Sequence, residues 1–183
     1  MQNRYTTQGF QLLSVAAAGF LVAGIIYRLE PATILGFALT AAGFFLAASA
    51  RSEDNYHWGR VGLGLSVAYV GMMPFFFEAF FPLQATDWHF IAVLGFLAGL
   101  LAITAGAFLA MRFGNDLAAR ILTRGGAVSI TLAGLVWLPF HIAGGNFWWT
   151  PGNLAIFAGG LLLLVGLIRM ETLATSAQVP SKA

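Results

Sequence analysis

The side chains that could do chemistry in this chain are few, and residues 72–90 are the segment with the most unusual set of them. This segment holds Glu78, Asp87 and His89 among phenylalanines and prolines, and His141 follows later in a similar aromatic setting. Two histidines and two carboxylates are ligands that zinc or iron accepts, and a histidine beside a carboxylate can also change its charge near neutral pH. No HxxxH or HExxH spacing favours a metal. We favour simple contact with water for these groups, with proton handling and metal binding as alternatives.

Aromatic residues and two prolines surround the same groups. Pro74 and Pro139 each remove a backbone hydrogen bond and are expected to bend their helices. Two bent helices with aromatic ends could form a cleft for a lipid, quinone, carotenoid or hydrophobic vitamin. The candidate cleft comprises Phe76, Phe77, Glu78, Phe80, Trp88, His89, Phe140, His141 and Trp148. The alternative is that the phenylalanines simply face lipid.

Several classes of enzyme lack their motifs in this chain. The absence of cysteine excludes disulfides, thiolate nucleophiles, cysteine-ligated zinc and iron–sulfur clusters. The sequence has no GxSxG, Walker A or dinucleotide fingerprint, and no lysine inside an apolar stretch. We therefore favour a non-enzymatic protein over an enzyme, assign no catalytic residues, and leave the cofactor unknown, since the sequence requires none. Its basic residues are scattered singly, which argues against a nucleic-acid partner.

The elements that must position these residues are membrane-spanning helices. Apolar residues make up 59% of the chain, charged residues 9%, and the mean hydropathy is +0.82, far from the usual soluble composition. A helix of about 20 apolar residues crosses a bilayer, and six stretches qualify or nearly do: 10–27, 31–50, 61–81, 89–111, 126–143 and 152–168. We predict an all-α polytopic membrane protein with one transmembrane domain over residues 1–183. The first stretch is interpreted as a helix rather than a secretory signal, and residues 175–183 as a flexible tail.

The basic residues predict the orientation, because short cytoplasmic loops are enriched in Lys and Arg. One side of the predicted membrane holds Arg4, Arg51, Arg60, Arg112, Arg120, Arg124, Arg169 and Lys182. The other side holds only Arg28. Both termini are therefore predicted to be cytoplasmic. The connections after the first, third and fifth helices then face outward, and their aromatic residues are typical of an interfacial belt.

Glycines recur in the second, fourth and sixth predicted helices. Each helix has two glycines seven residues apart, hence on one face: Gly36 and Gly43, Gly99 and Gly106, Gly159 and Gly166. This spacing predicts three αα-hairpins that repeat over residues 10–50, 60–112 and 124–170. Gly95 extends the stripe of the fourth helix. Small residues let helices approach closely in lipid, so we predict packing inside the bundle, with a dimer interface as the alternative.

A polar segment separates the fourth and fifth predicted spans. Asn115 or Asp116 could cap a helix, Asp116 and Arg120 have i,i+4 spacing, and Leu117 lies on one side with Ile121. The pattern predicts a short helix on the cytoplasmic surface before the fifth span begins.

The hairpin pattern resembles a known family. The residues that carry the likeness are SVAAAGFLVAGIIYRLEPATILGFALTAAGFFLAASA, with weaker echoes in GFLAGLLAITAGAFLAMR and AIFAGGLLLLVGLIRM. Three short hairpins, glycines in each second helix and a proline between the first two helices resemble the short-repeat acid-resistance membrane proteins. The resemblance implies a non-enzymatic inner-membrane protein linked to acid or envelope stress, with no catalytic residues to carry over. The long aromatic segments of the second and third hairpins depart from that pattern.

The sequence thus predicts a non-enzymatic, multi-pass protein of the bacterial cytoplasmic membrane. It would act as a structural, interaction or acid-stress-protective component, or as an accessory subunit of a larger membrane complex. The alternative is a small transporter, or a membrane substrate-binding subunit for a hydrophobic or vitamin-like ligand. The predicted partners are membrane lipids, a second copy or another membrane protein, and a hydrophobic small molecule.

Overall fold

The chain folds into six α-helices. The structure, a computed structural model, describes residues 4–50, 58–80, 88–114, 117–143, 145 and 147–177, without the side chains of residues 78–80, 89, 140 and 171–177. The helices are α1 (Arg4–Ile26), α2 (Pro31–Ala48), α3 (Trp58–Phe80), α4 (Trp88–Phe113), α5 (Leu117–Ala143) and α6 (Thr150–Ala177). Each contains a stretch long and apolar enough to cross a membrane. The prediction of an all-α, six-helix membrane fold is confirmed.

The observed helices agree with the predicted spans except at the start of α5. The predicted surface helix over residues 115–124 is wrong as a separate element, because α5 runs without interruption from Leu117 to Ala143. Its first residues, LAARIL, are good helix formers, and the arginines there lower the hydropathy without breaking the helix. At the other end of the chain, α6 continues to Ala177, into the predicted tail. The rest of that tail lies outside the described residues.

A tight turn joins α1 to α2. Arg28 takes a left-handed conformation with φ of 55°, and the N–H of Leu29 donates to the carbonyl of Gly24 at 2.9 Å. This is a Schellman motif, in which the left-handed position usually holds glycine. Pro31 then starts α2 at its first helical position, where its missing N–H costs no hydrogen bond. The chain therefore reverses direction within a few residues.

The six helices form a closed ring in chain order. Each helix packs against the one before and the one after it, α6 packs against α1, and no other pair of helices is in backbone contact within the described residues. Neighbours are antiparallel: Gly36 lies against Gly71, for example, whereas Gly43 lies against Gly64. The connections after α1, α3 and α5 therefore share one end, which we call the tryptophan end. It carries Trp88, Trp148 and Trp149, whereas the opposite arginine end carries Arg4, Arg60, Arg112 and Arg120.

The glycine pairs of α2, α4 and α6 lie where consecutive predicted hairpins meet. Gly36 and Gly43 face α3, Gly99 and Gly106 face α5, and Gly159 and Gly166 face α1. A Cβ atom at Gly99 would lie 2.8 Å from the carbonyl oxygen of Gly126, and one at Gly159 would lie 3.0 Å from that of Gly9. The chain's own helices therefore occupy these glycine faces. The threefold repeat itself stays a prediction.

Serine hydroxyls link neighbouring helices beside the glycines. Ser129 Oγ on α5 donates to the carbonyl of Gly95 on α4 at 2.6 Å. Ser14 Oγ on α1 donates to the carbonyl of Ala41 on α2 at 2.9 Å. Double-mutant cycles give such interhelical bonds about 0.6 kcal/mol on average in lipid. They fix the register of helices that the glycines bring close.

Large apolar side chains fill the middle of the ring. The largest of them with almost no exposed surface are Phe10, Leu13, Phe37, Phe44, Leu65, Met72, Leu100, Ile103, Ile130, Ile156 and Leu163. Phe44 on α2 meets Phe96 on α4 across the centre, with ring centroids 6.4 Å apart. The exterior carries exposed valine, leucine, isoleucine and phenylalanine side chains on every helix. Helices that are apolar on both faces suit a lipid environment.

Candidate functional site

Trp149 lies at the centre of an aromatic cluster at the tryptophan end. The centroid of its indole is 5.3 Å from the ring of Phe20, 6.0 Å from Phe37 and 6.3 Å from Phe75. These phenylalanines belong to α1, α2 and α3, whereas Trp149 belongs to the connection between α5 and α6. In the ring order, α2 and α3 lie opposite that connection. The indole of Trp149 therefore lies across the mouth of the ring.

Tyr27 and His141 complete this group, which we call the Trp149 cluster. The ring of Tyr27 lies 6.1 Å from the indole with an angle of 9° between the planes. The imidazole of His141 lies 6.0 Å from the indole at 19°. His141 is only 7% exposed, so its stack with Trp149 is buried. Offset stacking of this kind adds about 0.5–1.5 kcal/mol per pair to the burial of the rings.

The connection between α5 and α6 holds Trp149 in place. Gly145 has a positive φ of 69°, and the N–H of Phe147 donates to its carbonyl at 3.0 Å. The carbonyl of Trp149 accepts from the N–H of Asn153 at 3.1 Å, so Trp149 caps the first turn of α6. Phe147 and Trp148 are exposed, whereas Trp149 packs against the core. Among the aromatic residues described in this connection, Trp149 is thus the one that packs into the ring.

Asn153 adds a buried amide close to the cluster. The residue is 1% exposed, and its Nδ2 has no hydrogen-bond partner among the described residues. It precedes Ile156 by one helical turn, and Ile156 lines the interior cavity. Buried amides are normally satisfied by protein or by water. Asn153 is therefore a place where a water molecule or the acceptor group of a ligand could bind.

A small cavity adjoins the Trp149 cluster inside the ring. Its volume is about 10 Å³, and it is lined by Leu13, Ala16, Ala17, Phe20, Thr40, Phe44, Met72, Phe96 and Ile156. Phe20 belongs to both the lining and the cluster. This volume is at the lower limit for one water molecule, and ligand pockets usually measure about 300–1,000 Å³. This cavity, which the described residues line, is therefore too small for a ligand of ordinary size.

The predicted cleft residues are divided between the surface and the core. Phe77, Trp88 and Trp148 are 53%, 69% and 58% exposed. Phe76 is partly buried against the core, with its ring 5.7 Å from that of Phe77, and His141 is buried in the Trp149 cluster. The side chains of Glu78, Phe80, His89 and Phe140 lie outside the described residues. The described members thus comprise three exposed aromatic side chains and two that are buried or partly buried, and the cleft itself stays a prediction.

Of the predicted group of two carboxylates and two histidines, the structure describes the side chain of His141. Asp87 and the side chains of Glu78 and His89 lie outside the description, so their proximity to His141 stays a prediction. Across the described part of the chain, no group of three or more His, Asp or Glu side chains could hold a metal ion.

The sequence analysis did not assign Phe20, Tyr27, Phe37 or Trp149 to the site. Phe20 follows Leu13 by seven residues on the buried face of α1, and Phe37 precedes Phe44 by seven on that of α2. This spacing could have placed the phenylalanines in the core. It gives no indication that a tryptophan from a distant connection would meet them.

The described site offers aromatic faces, one imidazole and one amide. Aromatic faces stack on flat or apolar groups, and an amide donates to an oxygen acceptor. Chemically, these groups can stack on a flat ring and donate a hydrogen bond to an oxygen atom. Comparison of the chain with protein-family models, with curated proteins and with solved structures finds no match. The resemblance to the acid-resistance proteins therefore stays a prediction.

Proposed function

We propose that the chain is a non-enzymatic integral membrane protein that works as a structural or interaction component, protecting the envelope under acid stress as part of a membrane assembly. Its membrane is the bacterial cytoplasmic membrane, with both termini in the cytoplasm. The observation that carries this proposal is the dense apolar packing in the middle of the ring, among the residues that the structure describes. The distribution of basic residues supports the orientation.

The packing of the described interior favours interaction over transport. The middle of the ring is filled by phenylalanine, leucine, isoleucine and methionine side chains, and the cavity that they line has a volume of about 10 Å³. Pathways for ions, protons and polar solutes are lined by polar or ionisable groups. The buried polar residues that the structure describes are Thr6, Thr33, Thr40, Thr123, His141 and Asn153. With so few polar groups inside, the surfaces of the bundle are the parts available for function.

An acid-survival assay tests the proposal. Cells that lack the chain are complemented with the wild-type protein, His141→Ala, Gly126→Leu or Gly125→Leu, and survival after an acid challenge is counted. We expect Gly126→Leu to fail, because Gly126 lies against α4, and the other variants to restore survival. Gly125 is the matched control because no atom lies within 4 Å of its Cβ position. If His141→Ala reaches normal levels in the membrane and fails, the role depends on the site and the proposal is wrong.

A second candidate function is binding of a hydrophobic or vitamin-like ligand at the tryptophan end, in a small transporter or substrate-binding subunit. The exposed rim of Phe77, Trp88, Phe147 and Trp148 beside the Trp149 cluster favours it. The test is a titration of the purified protein with a short-chain quinone, followed by tryptophan fluorescence. Saturable quenching that Trp148→Ala and His141→Ala weaken, and that Trp58→Phe at the arginine end keeps, would favour ligand binding. Quenching that stays linear in all variants would reject it.

A further inference from the structure

Two exposed arginines flank the place where α1 packs against α6 at the arginine end. A Cβ atom at Gly166 would lie 2.7 Å from the backbone nitrogen of Thr6, so the start of α1 lies directly against α6. Arg4 is the first residue of α1, and Arg169 follows Gly166 by three residues on α6. The side chains of both arginines are exposed. Two positive charges therefore share this part of the surface, which we call the α1–α6 seam.

The ring of Tyr5 holds one of the two guanidinium groups. The Cζ atom of Arg169 lies 4.6 Å from the centroid of the Tyr5 ring, which is a cation–π contact. A guanidinium that stacks on a ring by its face keeps its N–H donors at its edges. Such a group is oriented in advance for two parallel hydrogen bonds to a phosphate. Arg4 precedes Tyr5 by one residue, so a second guanidinium starts beside the first.

The arginine end as a whole has a positive charge. Counted along the sequence, its helix ends and connections hold eight basic and four acidic residues, a net charge of +4. The tryptophan end holds one basic and three acidic residues, a net charge of −2. Glu171 follows Arg169 by two residues, about 200° around the helix, so these two residues start from opposite sides of α6. The charge of the seam therefore fits an anion.

From this arrangement we propose that Arg4 and Arg169 bind the phosphate of an anionic phospholipid. Both arginines lie near the ends of helices that are long and apolar enough to cross a membrane, and lipid headgroups surround such ends. Further along the same two helices, Val15 and Leu161 are exposed and offer an apolar surface to the acyl chains. A phospholipid whose phosphate has no positive group of its own, such as phosphatidylglycerol, matches two guanidinium groups better than phosphatidylcholine does.

Native mass spectrometry tests this site, because it counts the lipids that remain bound to each protein molecule. Full-length protein in mild detergent is titrated with phosphatidylglycerol or phosphatidylcholine. We expect the first phosphatidylglycerol to bind more tightly than phosphatidylcholine, and Arg4→Gln or Arg169→Gln to weaken it by about fivefold, as for one arginine near an anionic headgroup. Arg60→Gln and Arg112→Gln are matched controls, because each removes one exposed arginine from the same end. Equal losses in all four variants would reveal a general effect of charge and overturn the proposal, as would equal binding of the two lipids.

The Tyr5 ring separates the built site from its charges. Tyr5→Leu keeps both arginines but removes the stack, so we expect it to weaken phosphatidylglycerol by roughly two- to fivefold, as for an exposed cation–π contact. Unchanged binding in this variant contradicts the proposed role of the ring. Soluble glycerol phosphate at millimolar concentration should leave the bound lipid in place, and its displacement of the lipid would assign the site to a free phosphate ester instead. Failure of this lipid site leaves the acid-survival result unchanged.

Discussion

The imidazole of His141 stacks on the indole of Trp149 with 6.0 Å between the ring centroids and 19° between their planes. One residue belongs to the last turns of α5 and the other directly precedes α6. The stack therefore folds the α5–α6 connection back over the end of the ring. The phenylalanines of α1, α2 and α3 hold the indole from the other side.

Removing the indole of Trp149 should destabilise the bundle far more than removing that of Trp148. We expect Trp149→Ala to lower the free energy of unfolding by about 3 kcal/mol, because a packed aromatic side chain is lost from five ring contacts. Trp148→Ala is the control, since Trp148 is 58% exposed and surface changes cost within about 0.5 kcal/mol. Unfolding in mixed micelles by denaturing detergent measures both. Similar losses in the two variants would contradict the central position of Trp149.

Two adjacent glycines should respond in opposite ways to one added methyl group. A Cβ at Gly126 would lie 2.9 Å from the backbone nitrogen of Ile103, whereas no atom lies within 4 Å of that at Gly125. We expect Gly126→Ala to cost about 1–3 kcal/mol through overpacking. Gly125→Ala should be neutral or slightly stabilising, because alanine favours the helix. The midpoint of thermal unfolding in detergent distinguishes them, and a reversed order would contradict the close contact of α4 with α5.

The hydroxyl of Ser129 should contribute to helix association, whereas that of Ser66 should not. Ser129 Oγ bonds across to Gly95 on α4 at 2.6 Å, but Ser66 Oγ bonds to Gly62 of its own helix at 2.8 Å. We expect Ser129→Ala to cost about 0.6 kcal/mol, the average for interhelical hydrogen bonds. Ser66→Ala should change stability by less than half of that. Both serines are partly buried, so the comparison isolates the interhelical bond, and equal effects would show that the bond contributes nothing.

The turn between α1 and α2 should gain stability from glycine at position 28. Arg28 has φ of 55°, a conformation that costs a residue with a Cβ about 1–2 kcal/mol. After the entropic cost of glycine, we expect Arg28→Gly to raise the free energy of unfolding by up to about 1 kcal/mol. Arg28→Ala is the control because it removes the charge but keeps the strain. Stabilisation in both variants would assign the effect to the charge instead.

Labelling of single cysteines tests the predicted orientation. Trp148→Cys at the tryptophan end and Arg112→Cys at the arginine end both replace exposed side chains. With both termini cytoplasmic, a membrane-impermeant maleimide added to whole cells should label Trp148→Cys alone. Both variants should react after the cells are lysed. Labelling of Arg112→Cys in intact cells would reverse the orientation.

The helices could be predicted because lipid imposes a simple rule. Apolar stretches of about 20 residues must span, so the six helices follow from hydropathy alone. The start of α5 does not follow from hydropathy. Arg120 and Arg124 delay the beginning of the apolar stretch, but the helix already begins at Leu117. Helix propensity and hydropathy report different boundaries at this point.

The site was harder to predict because its rings come from distant parts of the chain. Glycine spacing correctly put Gly99 and Gly106 on one face of α4, since that depends only on helical geometry. The helix that packs against that face is set by the order of the helices around the ring, which the glycine spacing does not indicate. The same holds for Trp149: the sequence does not indicate that its side chain packs into the ring while that of Trp148 is exposed, because neighbouring residues in a connection can point in opposite directions.

The contact between α1 and α6 makes the order of the helices cyclic. If a linker joined the end of α6 to the start of α1 and the chain were opened between α2 and α3, every helix would keep both of its neighbours. Opening and joining would both take place at the arginine end, so each helix would also keep its direction across the membrane. A permuted gene that begins with α3 and ends with α2 should therefore encode the same bundle. The contacts between the helices do not depend on which helix comes first in the sequence.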